Sequence, residues 1–335
     1  MKSWKSYLNL DPIEWLLEAD NPSIRYFTLT HILEKKEINT EVKSAKENIM
    51  KKGVVPKILK KQKNEGYWVN PENFYVYTKY KGTVWTCIIL AELNADRNNK
   101  QIKQTCEYLL KNSQDRESGG FSVYGDERNG GAHDHVIPCL TGNMIWALIK
   151  FGFFEDSRVK QGINWILKHQ RFDDGIKLAP KGWPYDRYKN CWGNHTCHMG
   201  VVKNLKALTE IPSDKRSNEI KEFIWRAAEY ILNHHIYKQS HNLDVVAKQE
   251  WTQFGFPLLW KIDALEVLDL LTKLGYKDER MQEAINLVVS KQEKSGRWIL
   301  EKTVNGRVQV NIEQQDKESK WITLFALRIL KRYYS

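Results

Sequence analysis

Histidine and cysteine concentrate in two short segments of the chain. Of the nine histidines and five cysteines, seven residues lie in 133–139 and 191–198. Imidazole, thiolate and carboxylate are the groups that zinc binds in tetrahedral protein sites. The sequence therefore predicts a zinc site, with Zn as the cofactor. Its favoured ligands are Cys139 and His195, together with Asp134 or Cys191.

A structural role is the alternative for the same residues. Cysteine is among the most buried residue types and often behaves as a small apolar side chain. Cys87 and Cys106 stand in helical patterns with no evident chemical purpose. On that interpretation, the histidines and cysteines of the two segments only pack and cap the starts of helices. A bound zinc would instead activate a thiolate or a water, or hold a phosphate group.

A loop before His195 is suited to an anionic ligand. Residues 181–189 contain Tyr185, Arg187 and Lys189. Arginine binds phosphate oxygens through charge-assisted hydrogen bonds, and nearby helix N-termini would add positive potential. We expect these three side chains to bind substrate. The alternative is a basic loop that is merely exposed to solvent.

Regularly spaced carboxylates indicate acid–base chemistry. Asp263, Glu266 and Asp269 follow one another at intervals of three, near one face of a helix predicted over 258–274. If that face lines a cavity, burial raises a carboxyl pKa and provides a general acid. At a solvated edge, the same residues are surface charge. Asp263 and Asp134 are the two candidate catalytic acids.

Tryptophan is frequent, with thirteen residues in a chain of 335. Trp192 and Trp260 are expected to bind substrate, because they lie where helices around a cavity are predicted and an indole face stabilises a cation. Trp85, Trp146 and Trp321 occupy similar positions. A large packed core would absorb the same residues.

A repeated helix pair must position all of these side chains. Four turns begin with Gln and contain Gly, and most of them contain an aromatic residue. These turns are Gln62–Trp68, Gln114–Phe121, Gln170–Gly175 and Gln292–Trp298. An apolar helical pattern follows each turn, and a degenerate copy is expected near His234. Each helix pair therefore consists of a helix that ends at such a turn and an apolar helix that follows it. The apolar helices, with one more predicted near the start of the chain, are Ser23–Leu33, Thr83–Leu93, Cys139–Phe151, His195–Leu208, Leu258–Leu274 and Lys320–Tyr333.

Six such helices and six partners make about twelve, which is enough to close a ring. Each pair is apolar on more than one side, and the first and last helices lack the polar caps of an open solenoid. We therefore predict an all-α double ring of about twelve helices, folded as a single domain over residues 1–335. A short β-hairpin is expected at 301–312, because apolar alternation surrounds Asn305-Gly306.

Two of the turns carry a resemblance to known families. Gln62 to Trp68 and Gln292 to Trp298 resemble the QW repeats of squalene cyclases. Similar repeats occur in the β-subunits of protein prenyltransferases. The resemblance extends from about Ile24 to Tyr333. It implies an (α/α)6 toroid, in which an inner ring of helices surrounds a cavity that binds isoprenoids.

The same families provide catalytic patterns for comparison. In protein prenyltransferases an Asp-x-Cys and the His of a His-Thr-Cys string bind zinc. Cys139 and His195 match two of these positions, whereas Ile137 stands where the Asp is expected. The Asp-x-Asp-Asp acid of squalene–hopene cyclases has its nearest match at 171–174, which lacks the first Asp. The sequence contains no Asp-Asp-x-x-Asp pattern.

Composition narrows the class of protein. The sequence has no run of about 18 apolar residues, so no membrane span is expected. The start lacks the apolar segment of a secretory signal, and the odd number of cysteines argues against a disulfide framework. A cytoplasmic protein is therefore expected. The formal net charge of +11 is spread along the chain, so nucleic acid is not an expected partner.

Three functions follow as hypotheses. The leading one is a prenyltransferase-like or terpene cyclase-like enzyme that acts on an isoprenoid, either a prenyl diphosphate or a polyprenyl chain, with zinc at the rim. The second is a metal-free cyclase that is started by an acid, Asp134 or Asp263. The third is a toroid without chemistry that binds a lipid or a partner protein. A second subunit is a further expected partner, because protein prenyltransferases have one.

Overall fold

The computed structural model describes residues 3–75 and 80–335. Within these ranges it is mainly helical. The α-helices are α1 (Ile13–Leu16), α2 (Pro22–Phe27), α3 (Thr40–Lys51), α4 (Val54–Leu59), α5 (Thr83–Glu92), α6 (Lys100–Asn112), α7 (Pro138–Lys150), α8 (Ser157–His169), α9 (Lys189–Trp192), α10 (His198–Thr209), α11 (Asn218–Asn233), α12 (Ala264–Lys273), α13 (Gln282–Ser290) and α14 (Lys320–Tyr334). A π-helical turn, Thr28–Ile32, continues α2. The 3-10 turns are Trp4–Tyr7, Pro71–Asn73, His133–His135, Ser213–Lys215, Gln249–Thr252 and Glu279–Met281.

Six helices form a closed inner ring. They are α2 with its π-helical turn, α5, α7, α10, α12 and α14, and from α5 to α14 each helix packs on the next in this order. Ser23 of α2 also donates a hydrogen bond to the carbonyl of Leu93, just after α5, at 2.7 Å. α14 packs on α2 and closes the ring. The predicted all-α toroid is therefore confirmed.

The outer ring supports the inner one. It consists of α3 with α4, α6, α8, α11 and α13, and its sixth position is taken by Trp4–Tyr7 with α1. Outer helices begin at side chains that accept a backbone N–H, which satisfies the first turn. These N-cap residues are Asn39, Asn99, Asp156 and Ser217. The inner helices α5 and α7 are buried along almost their whole length, as expected of helices that are apolar on all sides.

The Gln-containing turns join the two rings in a repeated way. Trp68 and Trp298 are fully buried, and each donates its indole N–H to an outer-helix carbonyl, at 3.0 and 2.7 Å. Their backbone N–H groups donate to the hydroxyls of Thr83 and Thr323 on the following inner helices. Each turn thus fixes one inner helix against one outer helix.

The ends of the chain meet beside the closing helix. The ring of Tyr7 stacks on the ring of Tyr334, with centroids 3.8 Å apart. Lys320 at the start of α14 pairs with Glu18 at 2.7 Å and also with Asp20. Contacts between residues some 300 positions apart therefore close the toroid.

Strands are short and peripheral in the described part of the chain. They are β1 (Gly125–Asp126), β2 (Gly130–Gly131), β3 (Lys238–Gln239), β4 (Asn242–Val246), β5 (Trp298–Ile299) and β6 (Glu318–Ser319). They form three antiparallel pairs: β1 with β2, β3 with β4, and β5 with β6.

The hairpin predicted at 301–312 is wrong. Residues 301 and 302 bond instead to the backbone of Phe254 and Phe256, so the first half of the expected hairpin is already paired elsewhere. The side chains of Asn305 and Asn311 hold the turn through bonds to Glu313 and Gly306. The segment is a loop between β5 and β6.

Two predicted inner helices begin later than expected. α10 begins at His198, so His195 precedes the helix, and α12 begins at Ala264, so Trp260 lies outside it. Asp263 sets the second boundary, because its carboxylate accepts the N–H of Glu266 and caps the first turn. No helix in residues 3–75 and 80–335 has the length and apolar character to cross a membrane.

Candidate functional site

All six inner helices contribute to a central cavity of about 260 Å³. One part of its wall is aromatic. The rings are those of Tyr26, Phe27, Trp146, Phe256, Trp321 and Phe325. Phe256 stacks on Trp321, with centroids 4.3 Å apart. The remaining wall is densely charged. The charged side chains are Glu92, Lys150, Lys206, Glu210, Asp263, Glu266, Asp269, Lys273, Arg328 and Arg332.

The exposure of the α12 residues shows where the cavity opens. Asp263 is 1% exposed, and the side chains of Glu266, Asp269 and Lys273 are 11%, 18% and 42% exposed. Exposure therefore rises from the N-terminus of α12 to its C-terminus. The mouth lies at the C-terminal ends of the inner helices, the end opposite to the predicted zinc site.

Asp263 is the most deeply buried carboxyl of the wall. Its Oδ1 accepts the N–H of Glu266 at 2.8 Å, and its Oδ2 accepts the N–H of Gly255 at 2.9 Å. Burial raises the pKa of Asp263 to about 7, although both backbone hydrogen bonds act to lower it. This side chain can therefore carry a proton near neutral pH.

Glu266 has the opposite electrostatic environment one helical turn away. Lys203 contacts both of its carboxylate oxygens, at 2.7 and 2.8 Å, and Lys206 contacts one of them at 3.1 Å. Burial acts to raise the pKa of Glu266, but the two ammonium groups hold it below its usual value. Lys206 also pairs with Glu92 and lies over the Trp146 ring, 4.2 Å from its centroid.

Two further ion-pair clusters lie nearer the mouth. Asp269 accepts hydrogen bonds from Arg328 at 3.0 Å and from Arg332 at 2.9 Å. His31 accepts from Arg328 at 3.4 Å, and burial together with the two guanidinium groups lowers the pKa of His31 to about 3. The ring of His31 is therefore neutral at physiological pH.

The second cluster at the mouth is centred on Glu210. Lys273 contacts its carboxylate at 3.0 Å, and Lys150 lies 3.9 Å from it. Each of the two mouth clusters holds two cations and one carboxylate. The mouth therefore has an excess of positive charge.

Asp263, the cap of α12, and Glu266, in its first turn, have the properties of an acid and a base held side by side. Environments that push two carboxyl pKa values apart allow one group to donate a proton while the other stays ionised. Asp263 has a raised pKa and Glu266 a lowered one. The carboxylate row predicted from its spacing thus faces a cavity and not a solvated edge.

The second predicted acid, Asp134, lies elsewhere. Its carboxylate pairs with Arg187 at 3.0 Å, and the two side chains are 64% and 52% exposed. Neither residue lines the central cavity. The pair joins the turn His133–His135 to the loop 181–189, which was predicted to bind an anionic ligand.

The other predicted substrate-binding residues also lie outside the cavity wall. Tyr185 donates to the carbonyl of His169 at 3.3 Å, and its ring contacts the buried Trp192. Lys189 begins the short helix α9 and is exposed. Trp260 donates its indole N–H to the Tyr80 hydroxyl at 3.2 Å.

The predicted zinc ligands fall into different environments. The thiols of Cys139 and Cys191 lie near that of Cys197, whereas His195 bonds Asp174 at 3.2 Å and Asp134 bonds Arg187. In the part of the chain that the structure describes, no three His, Cys, Asp or Glu side chains converge as a metal ion requires. The residues as placed do not form a metal centre, and zinc binding stays a prediction.

A cleft of about 430 Å³ lies beside His195. His195 and His234 both face the same Asp174 oxygen, at 3.2 and 3.3 Å, and His241 bonds the Asp174 carbonyl at 2.7 Å. Burial acts to raise the pKa of Asp174, but its hydrogen bonds and the neighbouring histidines lower it overall. Cys197 also lines this cleft.

Sequence reasoning missed most of the charged cavity wall. Lys203 and Lys206 interrupt the otherwise apolar pattern of α10, and Arg328 and Arg332 do so in α14. Cations spaced by three or four residues within a buried helix are the signal that could have located the cavity. The histidines around Asp174 come from separate segments, and only the fold brings them together.

Comparisons with known proteins give similarities of fold only. No family model and no curated protein matches the chain. Among solved structures, it is similar to a variant of the type II terpene cyclase MstE from Scytonema in complex with geranylgeranyl dihydroxybenzoate. The identity is 13%, the match covers 94% of this chain and 87% of that one, and the TM-score is 0.43.

Two sugar-modifying proteins give similar values. Cellobiose 2-epimerase from Bacillus thermoamylovorans is 12% identical, with 74% and 71% of the two chains covered and a TM-score of 0.47. A sugar epimerase from a ruminal bacterium is 14% identical, with 75% and 71% covered and a TM-score of 0.42. The toroid described above rests on the contacts between this chain's own helices and not on these similarities.

Proposed function

We propose that this chain is an enzyme that works in its central cavity, where Asp263 acts as a general acid on a substrate with an isoprenoid part. The observation that carries the proposal is the placement of Asp263. A fully buried carboxyl, with its pKa raised to about 7, lines a cavity that also presents stacked aromatic rings. The isoprenoid part follows from the resemblance of the Gln-to-Trp turns to those of squalene cyclases.

The proposed step begins with proton transfer from the Asp263 carboxyl to a carbon–carbon double bond. A carbocation forms at the more substituted carbon, and a second double bond of the same chain attacks it to close a ring. The faces of Trp321 and Phe256 stabilise the cation by cation–π interaction. Glu266, which is kept ionised by two lysines, accepts the proton that is lost at the end.

The charged mouth adds a requirement on the substrate. Each cluster at the mouth has two cations for one carboxylate. Asp269 pairs with Arg328 and Arg332, and Glu210 pairs with Lys150 and Lys273. A carboxylate or phosphate group on the substrate would find favourable potential there. We therefore propose an amphipathic substrate, with an apolar chain in the aromatic part and an anionic group near the mouth.

The test is turnover with prenyl substrates of different length. Purified protein is incubated with geranyl, farnesyl and geranylgeranyl diphosphate and with squalene, and the products are extracted and identified by gas chromatography–mass spectrometry. We expect a cyclised product from at least one substrate. The variant Asp263→Asn should reduce its formation by at least about 100-fold, the usual size of a general-acid contribution.

Asp156→Asn is the matched control for that variant. Asp156 is also the capping aspartate of a helix, α8, but it lies away from the cavity. It should turn over substrate at the rate of the native chain. Equal turnover by Asp263→Asn and the native chain would overturn the proposal, as would binding of every substrate without any product, which would indicate a toroid that only binds lipid.

Zinc dependence and a second subunit stay predictions. No step above uses a metal, because the predicted ligands do not converge on one point.

A further inference from the structure

Exposed apolar side chains concentrate in two segments of the chain. Ten large apolar side chains are exposed among the described residues, and four of them are Ile176 and Leu178, in the loop between α8 and α9, and Leu243 and Val245, on β4. Ile176 and Leu178 are 84% and 81% exposed, the highest values of the ten. A cluster of such side chains, unlike a single one, indicates a surface that binds something apolar.

Asp174 joins the two segments. Its backbone carbonyl accepts a hydrogen bond from Nε2 of His241 at 2.7 Å, and His241 lies in the turn between β3 and β4. Asp174 precedes the first apolar side chain of the loop by two residues, and His241 precedes the first one of β4 by two. The loop leads to α10, so this surface lies at the N-terminal end of the inner helices. We call Ile176, Leu178, Leu243 and Val245 the apolar rim.

The loop that carries half of the apolar rim is fixed on both sides. Gly175 donates its backbone N–H to the carbonyl of Asn194 at 3.1 Å. On the other side, Trp183 donates its indole N–H to the carbonyl of His133 at 3.0 Å, and the two rings stack with centroids 4.1 Å apart. The exposure of the two side chains between these points is therefore a property of the folded loop.

Basic side chains border the apolar rim. Lys177 and Lys181 are exposed in the same loop, and residues 175–181 include no acidic residue. Lys248 is exposed just after β4, and Asp244 is the one acidic residue of that strand. Three lysines beside one aspartate give this surface a positive charge.

We propose that the apolar rim docks on a membrane that contains anionic lipids and binds the toroid to the membrane surface by this end. The aliphatic side chains enter the boundary between head groups and acyl chains, and the lysines lie at the level of the lipid phosphates. The charge of the surface favours this occupant over an apolar one. A stable contact with another protein buries roughly 800 Å² on each side, more than four side chains provide.

Docking by this end leaves the cavity open. The mouth lies at the C-terminal ends of the inner helices and would face away from the membrane. The proposal goes beyond the function proposed for the cavity and does not depend on it, because membrane binding is measured without any turnover.

The experiment is sedimentation of the full-length protein with sucrose-loaded vesicles. One set contains equal parts of phosphatidylcholine and phosphatidylglycerol, and the other contains phosphatidylcholine alone. We expect binding to the mixed vesicles that weakens as salt is added, because salt screens the lysines. Binding to the neutral vesicles should be at least about tenfold weaker, since each lysine near an anionic surface contributes a factor of about five.

Variants separate the apolar contribution from the charge. Ile176→Ser combined with Leu178→Ser should weaken binding to the mixed vesicles by at least about tenfold. Ile38→Ser is the matched control, because Ile38 is 75% exposed but lies between the π-helical turn and α3, on the side of the mouth. It should bind as the native chain does. Lys177→Gln combined with Lys181→Gln should remove most of the preference for the anionic lipid.

Three results would overturn the proposal. The first is the absence of sedimentation with either set of vesicles. The second is equal binding by the native chain and the double serine variant, which would show attraction by the net charge of +11 alone. The third is a dimer in light scattering that the double serine variant converts to a monomer, without vesicle binding, which would show that a second copy covers the apolar rim.

Discussion

The buried carboxyl of Asp263 has two structural roles that shift its pKa in opposite directions. As the cap of α12 it accepts two backbone N–H groups, which favour the carboxylate. As a buried group in the cavity wall it favours the protonated form, and burial has the larger effect. Capping alone would be satisfied by a partly exposed aspartate such as Asp156. The burial of Asp263 is what gives it a capacity for acid chemistry.

This pKa predicts how stability depends on pH. The pKa of Asp263 is about 7 in the folded protein against an ordinary value of 3.8, so its contribution to stability is complete below about pH 4 and is lost as the pH rises through 7. Relative to Asp263→Asn, the free energy of unfolding of the native chain should fall by about 1.4 kcal/mol for each pH unit between these values. Urea unfolding of both proteins at pH 5, 6, 7 and 8 measures the difference.

The pairwise comparison removes the titration of all other groups. A difference between the two proteins that stays constant from pH 5 to pH 8 would contradict the raised pKa. Turnover should follow the same group, so that kcat declines above about pH 7 as Asp263 loses its proton.

At the scale of elements, the Gln-containing turns connect the inner and outer helices of the toroid. Gly296 has a φ of +75° and its missing Cβ would lie 1.9 Å from the Leu10 carbonyl oxygen. The glycine is therefore needed for its backbone conformation and for the close approach of the N-terminal segment. Gly275 has a φ of +88°, but a Cβ at that position would have no atom within 4 Å of it.

Alanine substitutions of these two glycines distinguish the cost of backbone strain from the cost of a steric clash. Gly275→Ala should cost about 1 kcal/mol of stability, since an alanine is strained at positive φ. Gly296→Ala should cost the same amount plus the displacement of the Leu10 backbone, which we expect to bring the total to about 3 kcal/mol or more. Denaturant unfolding of both variants provides the values, and equal losses would show that the contact at Leu10 is unimportant.

Elements were easier to predict from the sequence than site residues. The inner helices could be predicted because α5 and α7 are apolar on every face, and the turns because Gly and Trp recur after Gln. The hairpin at 301–312 failed because Asn305-Gly306 forms a turn whether or not its flanks pair, and the first flank pairs with Phe254 and Phe256. Local turn chemistry does not reveal such a distant partner.

The candidate site was predicted only in part, for a similar reason. The spacing of Asp263, Glu266 and Asp269 placed them on one face, but only the closed ring shows that this face is interior. The loop 181–189 was expected to bind phosphate. Its Arg187 is instead paired with Asp134, 53 residues earlier in the chain. Residue type and spacing indicate which chemistry is available, whereas partners depend on the tertiary structure.

On the scale of the whole molecule, the toroid has two ends with different chemistry. The cavity opens at the C-terminal ends of the inner helices, with Lys and Arg where cations are favoured by the helix dipoles. The cysteines and histidines of the sequence motifs gather at the N-terminal end of α7 and α10. A zinc ion at the predicted ligands would therefore lie at the end opposite to the cationic mouth, the same end at which Asp263 caps α12.

Metal analysis tests the predicted zinc site. Protein purified without chelator or metal-affinity tag should be measured by elemental mass spectrometry, before and after incubation with zinc. About one zinc per chain, lost in Cys139→Ala and in His195→Ala, is the outcome that the sequence motifs predict. No bound zinc after incubation would contradict it, and in either case removal of metal should leave acid-initiated turnover in the cavity unchanged.

The stacking of Tyr7 on Tyr334 has a consequence for the order in which the molecule assembles. During synthesis, α2 emerges early, but its neighbour α14 is the last helix of the ring to be made, so one apolar face of α2 stays uncovered until then. Contacts this distant in sequence form late and slowly. Because the two ends lie side by side, a short linker could join them and new ends could be opened in an exposed outer loop. Such a circularly permuted chain would make the α14–α2 pair local, and its refolding should be faster although the final structure is the same.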